Sequence, residues 1–217
     1  MSTIADNIGQ VSQRIRAAAH AVQRDESSIH LLAVSKTKPA QAVREAYAAG
    51  MRDFGENYLQ EALGKQAELT DLPLSWHFIG PIQSNKTRAI AEHFAWVHSV
   101  DRLKIAQRLS EQRPADLPPL NICIQVNVSG EASKSGCTPA DLPALAAAIS
   151  ALPRLKLRGL MAIPEPTEDR AAQDAAFAAV KDLQASLNLP LDTLSMGMSH
   201  DLESVSYTHL RAHETKA

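Results

Sequence analysis

The chain has 217 residues, room for one sizeable domain and too few for two full ones. Its 22 Lys and Arg against 24 Asp and Glu leave a formal charge of -2, which argues against a nucleic-acid binder working through bulk positive charge. A hydrophobic content of 45% with 21% charged residues describes a globular chain, and 4% aromatics leave the core to Ala, Leu, Ile and Val.

Residues 1–22 alternate polar and apolar at helical spacing and lack the apolar centre of a signal peptide, so they read as an N-terminal helix. Residues 29–35 form the first strand, and a turn leads to Pro39 at the start of a helix over 39–51. Strands at 52–55, 75–79 and 95–99 are each followed by a helix, at 58–69, 85–94 and 102–112. A fifth strand at 120–128 precedes a helix at 138–152, with Thr138 and Pro139 read as its N-cap and first turn. A sixth at 155–163 precedes a long helix over 168–187, and a seventh lies at 193–198. Strands alternating with helices imply parallel pairing and right-handed crossovers. Seven units in a row predict an α/β fold of the (β/α)8 TIM type with an extra N-terminal helix. The last fourteen residues supply no evident eighth strand, so an incomplete barrel is expected.

No run approaches the about 18 apolar residues of a membrane helix. Two cysteines, Cys123 and Cys137, are too few for a disulfide framework and suit a cytoplasmic protein. Cys123, inside an apolar strand, reads as a small core residue.

In such a barrel, chemistry gathers where the strands end at their C-termini. Those positions hold Lys36, then Glu56, Asn57 and Tyr58, then Gln83, Asn85 and Lys86, then Asn127, Glu131, Lys134 and Gly136, then Met161, and last Gly197 to Ser199. Lysines and amides dominate; there is no carboxylate pair, no Ser-His-Asp set and no metal-ligand spacing, so neither catalytic residues nor a metal are assigned. Lys36 is the sharpest point, because a lysine at the exit of an apolar strand can be desolvated into a nucleophilic amine. By position alone a solvated lysine is the simpler reading. Ser199 reads as a helix N-cap or as a phosphate ligand. His77, between Trp76 and Phe78, reads as a core histidine.

The segments LLAVSKTKP, FGENYLQEA, WHFIGPIQSNK, VNVSGEASKSG, LRGLMAIPEP and LSMGMSHDLE together resemble the successive signatures of the pyridoxal phosphate homeostasis proteins. The resemblance runs to about Glu203. It implies a fold similar to the N-terminal barrel of alanine racemases, and a cytoplasmic, monomeric, non-catalytic protein that holds pyridoxal 5′-phosphate (PLP) as a Schiff base. Its partners would be PLP-dependent apoenzymes, with no nucleic acid and no membrane. By the same resemblance the anchor is Lys36, in the AVSK motif, which reverses the reading from position. Asn57 and His77 become pocket residues beside the ring, Met161 packs near the cofactor, and Ser199 binds phosphate. Lys86 and Lys134 match positions around the pocket mouth. An amino-acid racemase is the alternative activity.

Family members continue past this point into an eighth strand with an Arg-Ile-Gly-Thr phosphate motif. Here the chain reads SVSYTHLRAHETKA instead. The expected division is therefore a PLP-binding barrel over residues 1–203 and an atypical, foreign tail over 204–217, with a weaker hold on phosphate.

Overall fold

A computed structural model describes residues 3–129, 135–207 and 212–216, the last five as backbone only. Helix α1 (Ile4–Ala21) opens on a capping box, in which Thr3 and Asp6 satisfy each other's backbone N–H groups. The repeating units then follow in order. They are β1 (His30–Val34) with α2 (Ala40–Ala48), β2 (Asp53–Glu56) with α3 (Leu59–Glu68), and β3 (Ser75–Phe78) with α4 (Thr87–His93). Next come β4 (Trp96–Val100) with α5 (Leu103–Gln112), β5 (Leu120–Gln125) with α6 (Leu142–Ser150), and β6 (Leu155–Met161) with α7 (Arg170–Ser186). The last unit is β7 (Thr193–Ser195), α8 (Leu202–Tyr207) and β8 (Ala212–Lys216).

The strands are all parallel and sit in chain order around a closed barrel. Alternation along each strand divides its side chains between two environments. Phe54, Trp76, Phe78, Val97, Ile122 and Ile124 join the main apolar cluster with residues of the surrounding helices, such as Val43, Ile105 and Phe177. Leu32, Val34 and Ile79 form a separate small cluster on the other side, inside the barrel. Gly55 belongs to that inner layer: a Cβ there would stand 3.1 Å from Ile79 and 3.3 Å from Leu32. Cys123 is fully buried as expected, and burial pushes its thiol up to about 12.

Several boundaries shift by a few residues, and two differences from the sequence reading have a clear physical cause. Helix α6 begins at Leu142, not Thr138, because the Thr138 hydroxyl caps a separate turn by accepting the Asp141 N–H at 3.1 Å. The second difference is at closure. Residues 212–216, from which no strand was expected, pair with β1 at five positions from His30↔Ala212 to Val34↔Lys216. They have no apolar run, so pattern reading passes over them; what places them is the row of backbone groups on β1 that needs a partner. On the other side β8 meets β7 through the single pair Ser195↔Ala212, so the barrel is least knit where incompleteness was expected.

Candidate functional site

Four of the five residues expected to form a site lie at or just past the C-terminal ends of strands. Lys36 lies in the turn after β1, half-buried, two residues past the inward-facing Val34. The register Val34↔Gly55 sets Asn57 at the neighbouring strand end. The Asn57 Oδ1 is buried and has no hydrogen-bond partner among the described residues, an acceptor left open. Its backbone is crowded by the exit of β3: a Cβ on Gly80 would fall 2.2 Å from the Asn57 carbonyl oxygen, so only glycine lets these two strand ends approach.

Met161 ends β6 and is buried, paired in register with Gln125 and Ser195. Ser199 is half-buried in the turn after β7, beyond Gly197, whose φ of 99° is in the left-handed region. Helix α8 starts three residues later, at Leu202, so Ser199 is not its N-cap. Asp201 organises this turn, accepting the Met198 N–H at 2.5 Å, while burial raises its carboxyl above the usual range. The Ser199 carbonyl accepts Arg14 Nη2 at 3.5 Å, and Arg14 also pairs with Glu203 at 2.6 Å, tying α1 to α8. Lys86 ends a short 3-10 turn before α4, and Lys134 lies outside the described residues.

His77 is placed differently. It stands level with Gly55 and Val34, deeper in the barrel than Lys36, and both ring nitrogens are occupied. Nδ1 meets His98 Nε2 at 2.9 Å; Nε2 meets Asp53 Oδ1 and Ser75 Oγ, each at 3.1 Å. His98 continues the chain to Ser195 Oγ at 2.5 Å. These rings border a cavity of about 220 Å³ together with His30, Asp53, Trp96 and Thr193, each the first residue of its strand, and Arg158 at the middle of β6. Burial holds both imidazoles below their usual range, and His77 depresses His98 further. The placement fits the core-histidine alternative and does not bring His77 to the Lys36 rim.

The Lys36 turn is held by groups to which the sequence reading gives no role, although Glu56 stands among the strand-end residues. Glu56, fully buried at the end of β2, accepts Lys65 Nζ at 2.5 Å and the Ser35 hydroxyl at 2.6 Å on one oxygen. Lys65, buried on α3, also donates to the Ser35 carbonyl at 2.6 Å and pairs with Glu61 at 2.7 Å. Desolvation raises the Glu56 carboxyl, opposed chiefly by Lys65. For Lys65 the hint in the sequence is its i,i+4 spacing from Glu61, which reads equally well as an exposed helix pair. Among the described residues no group of three or more His, Cys, Asp or Glu is arranged to hold a metal ion.

Comparison with known proteins bears on the family and the fold. The family model for the alanine racemase N-terminal domain matches residues 6–214. The pyridoxal phosphate homeostasis protein of Pseudomonas aeruginosa is 78% identical over 204 residues, covering 94% of this chain and 89% of the relative. This chain belongs to the pyridoxal phosphate homeostasis protein family. The family's Escherichia coli K12 member is 53% identical over 214 residues, covering 94% of this chain and 90% of its own length. Among solved structures, PipY of Synechococcus elongatus PCC7942 without PLP superposes with a TM-score of 0.84 at 40% identity, over 95% of this chain and 97% of PipY. Its form with PLP bound gives 0.83 at 41% identity over the same shares. Alanine racemase of Corynebacterium glutamicum, at 16% identity and a TM-score of 0.68, shares the fold over 94% of this chain and 58% of its own. Among the described residues no helix is long and apolar enough to cross a membrane.

Proposed function

We propose that this chain binds pyridoxal 5′-phosphate on Lys36 and serves the cell as a carrier of the cofactor. The observation that carries the reading is the placement of Lys36 and Asn57 at adjacent strand ends, with the Asn57 Oδ1 buried and unpaired. That open acceptor suits a heteroaromatic ring bearing an N–H or O–H, since a buried polar group without a partner is costly. Relatives named for PLP homeostasis, and PipY solved with PLP bound, support the same assignment. When bound, the cofactor supplies an aldehyde carbon that an unprotonated amine can hold as a Schiff base.

The chain's own residues have separate parts in this reading. Lys36 supplies the amine, Asn57 the open acceptor and Met161 an apolar contact. Ser199 offers a hydroxyl toward phosphate from the turn after β7. His77 supports the barrel interior beneath them. Residues 1–203 carry the site, and we read 204–217 as a tail of foreign origin, a point that intact-mass measurement of the source protein tests.

We read the protein as a cytoplasmic monomer that hands PLP to apoenzymes and has no turnover of its own. Racemisation needs two bases on opposite faces of the substrate. Tyr58, at the end of β2, is 58% exposed and poorly placed to act as a buried base. Exchange of the α-hydrogen of alanine in deuterated water by the PLP-loaded chain would replace the carrier reading with an enzymatic one. Titration with PLP, followed by borohydride reduction and peptide mapping, tests the site itself.

A further inference from the structure

We propose that Glu61 is a positioning residue for Lys36, acting through the backbone N–H of Thr37. The inference deepens the site reading and rests on Lys36 being the cofactor lysine.

Thr37 has a φ of 63°, a left-handed conformation that is uncommon for any side chain and more so for a β-branched one. A turn held in that conformation needs outside support. The Thr37 N–H donates to Glu61 Oε1 at 2.6 Å, a short bond to a charged acceptor. On the other side of Lys36, the Ser35 hydroxyl and carbonyl are held by Glu56 and Lys65. Lys65 joins the two arms, because its ammonium contacts Glu56 and Glu61 at 2.5 and 2.7 Å. Both neighbours of Lys36 are therefore fixed by side chains from β2 and α3. The Lys36 side chain itself makes no hydrogen bond or ion pair with the described residues. The arrangement suits an amine that must be presented at one place yet left free to react.

Glu61 also has a plain structural role as the i,i+4 partner of Lys65 on α3. The two roles part at the Thr37 amide. A helix pair alone predicts a change in thermal stability with the Lys36 turn undisturbed. Positioning predicts a loosened turn, whatever happens to stability.

The test compares wild type with Glu61→Ala, Glu61→Asp and Glu61→Gln. Asp keeps the charge near Lys65 but is one methylene too short for Thr37; Gln keeps the acceptor oxygen in place. Two readouts are taken: amide hydrogen exchange of Thr37 in the cofactor-free protein, and the PLP concentration that half-saturates borohydride-trapped label on Lys36. Loss of one hydrogen bond to a carboxylate gives about tenfold faster Thr37 exchange and about tenfold weaker labelling in the Ala and Asp variants. Gln restores most of both. Should the Ala variant fail to fold, the Asp variant carries the comparison. If wild type labels on Lys36 and the folded Ala or Asp variant matches it in both readouts, the inference is wrong and the site reading stands. If wild type gives no label beyond a Lys36→Ala control, both fall together.

Discussion

The buried histidine pair makes stability depend on pH in a window set by its geometry. His77 is 7% exposed and His98 is 2% exposed. Their contact at 2.9 Å is between Nδ1 of one ring and Nε2 of the other, so one nitrogen donates and the other accepts. Charging both rings would set two N–H groups face to face. Asp53, whose carboxyl is itself held low by its bond to His77, favours a proton on His77. Burial outweighs that pull, and among the described residues no carboxylate bonds to His98, whose ring meets His77, Ser195 and Trp96. Nearby, the Arg158 guanidinium lies over Trp96 and is paired with Asp192. The folded pair thus binds protons more weakly than the unfolded chain, where histidine titrates near 6.5. Its stabilisation is complete above that value and is lost as pH falls below it. Between pH 7.5 and 5.5, a histidine that folding keeps wholly neutral costs about 1.4 kcal/mol, the ceiling for each ring, and two cost at most about 2.7. Against a total of roughly 5–15 kcal/mol this is readily measured, and corresponds to roughly 3–10 °C in melting temperature. The assay is urea unfolding at both pH values for wild type and His98→Gln; groups common to both proteins cancel in the comparison. The variant should lose about half or more of the pH-dependent fall. Equal pH dependence in the two proteins would refute the assignment.

Further expectations concern the site's supports. Lys65→Met leaves the Glu56 carboxylate buried without its cation and should cost about 3–5 kcal/mol in chemical denaturation, with much of the loss recovered in Lys65→Met/Glu56→Leu. Gly80→Ala sets a methyl against the Asn57 carbonyl, so it should cost about 1–3 kcal/mol and weaken PLP binding in a fluorescence titration. Arg14→Ala breaks a pair whose side chains are 44% and 35% exposed, and thermal melting should show a loss of about 1 kcal/mol or less.

Much of the fold is legible because parallel strands buried on both faces read as apolar runs between helical patterns. The seven runs correspond to β1 to β7, and Lys36, Asn57, Met161 and Ser199 fall at their ends as strand position implies. Tertiary pairing is less visible. His98 sits in an ordinary strand segment, WVHSV, and nothing local shows that its ring will meet His77 from the neighbouring strand. Lys65 belongs to an amphipathic helix where lysines usually face water; its burial depends on Glu56, nine residues earlier on a different element. Residues 212–216 become a strand through the backbone demand of β1, which leaves no signature in side-chain pattern. In each case the deciding partner is distant in sequence or is the main chain itself.

The central claim is that Lys36 holds the cofactor. Incubation with PLP, borohydride reduction and peptide mass mapping tests it directly. The account predicts one pyridoxyl group per chain on the peptide containing Lys36, with that modification absent in Lys36→Ala. Label confined to other lysines, or an unmodified Lys36 at saturating cofactor, would contradict it.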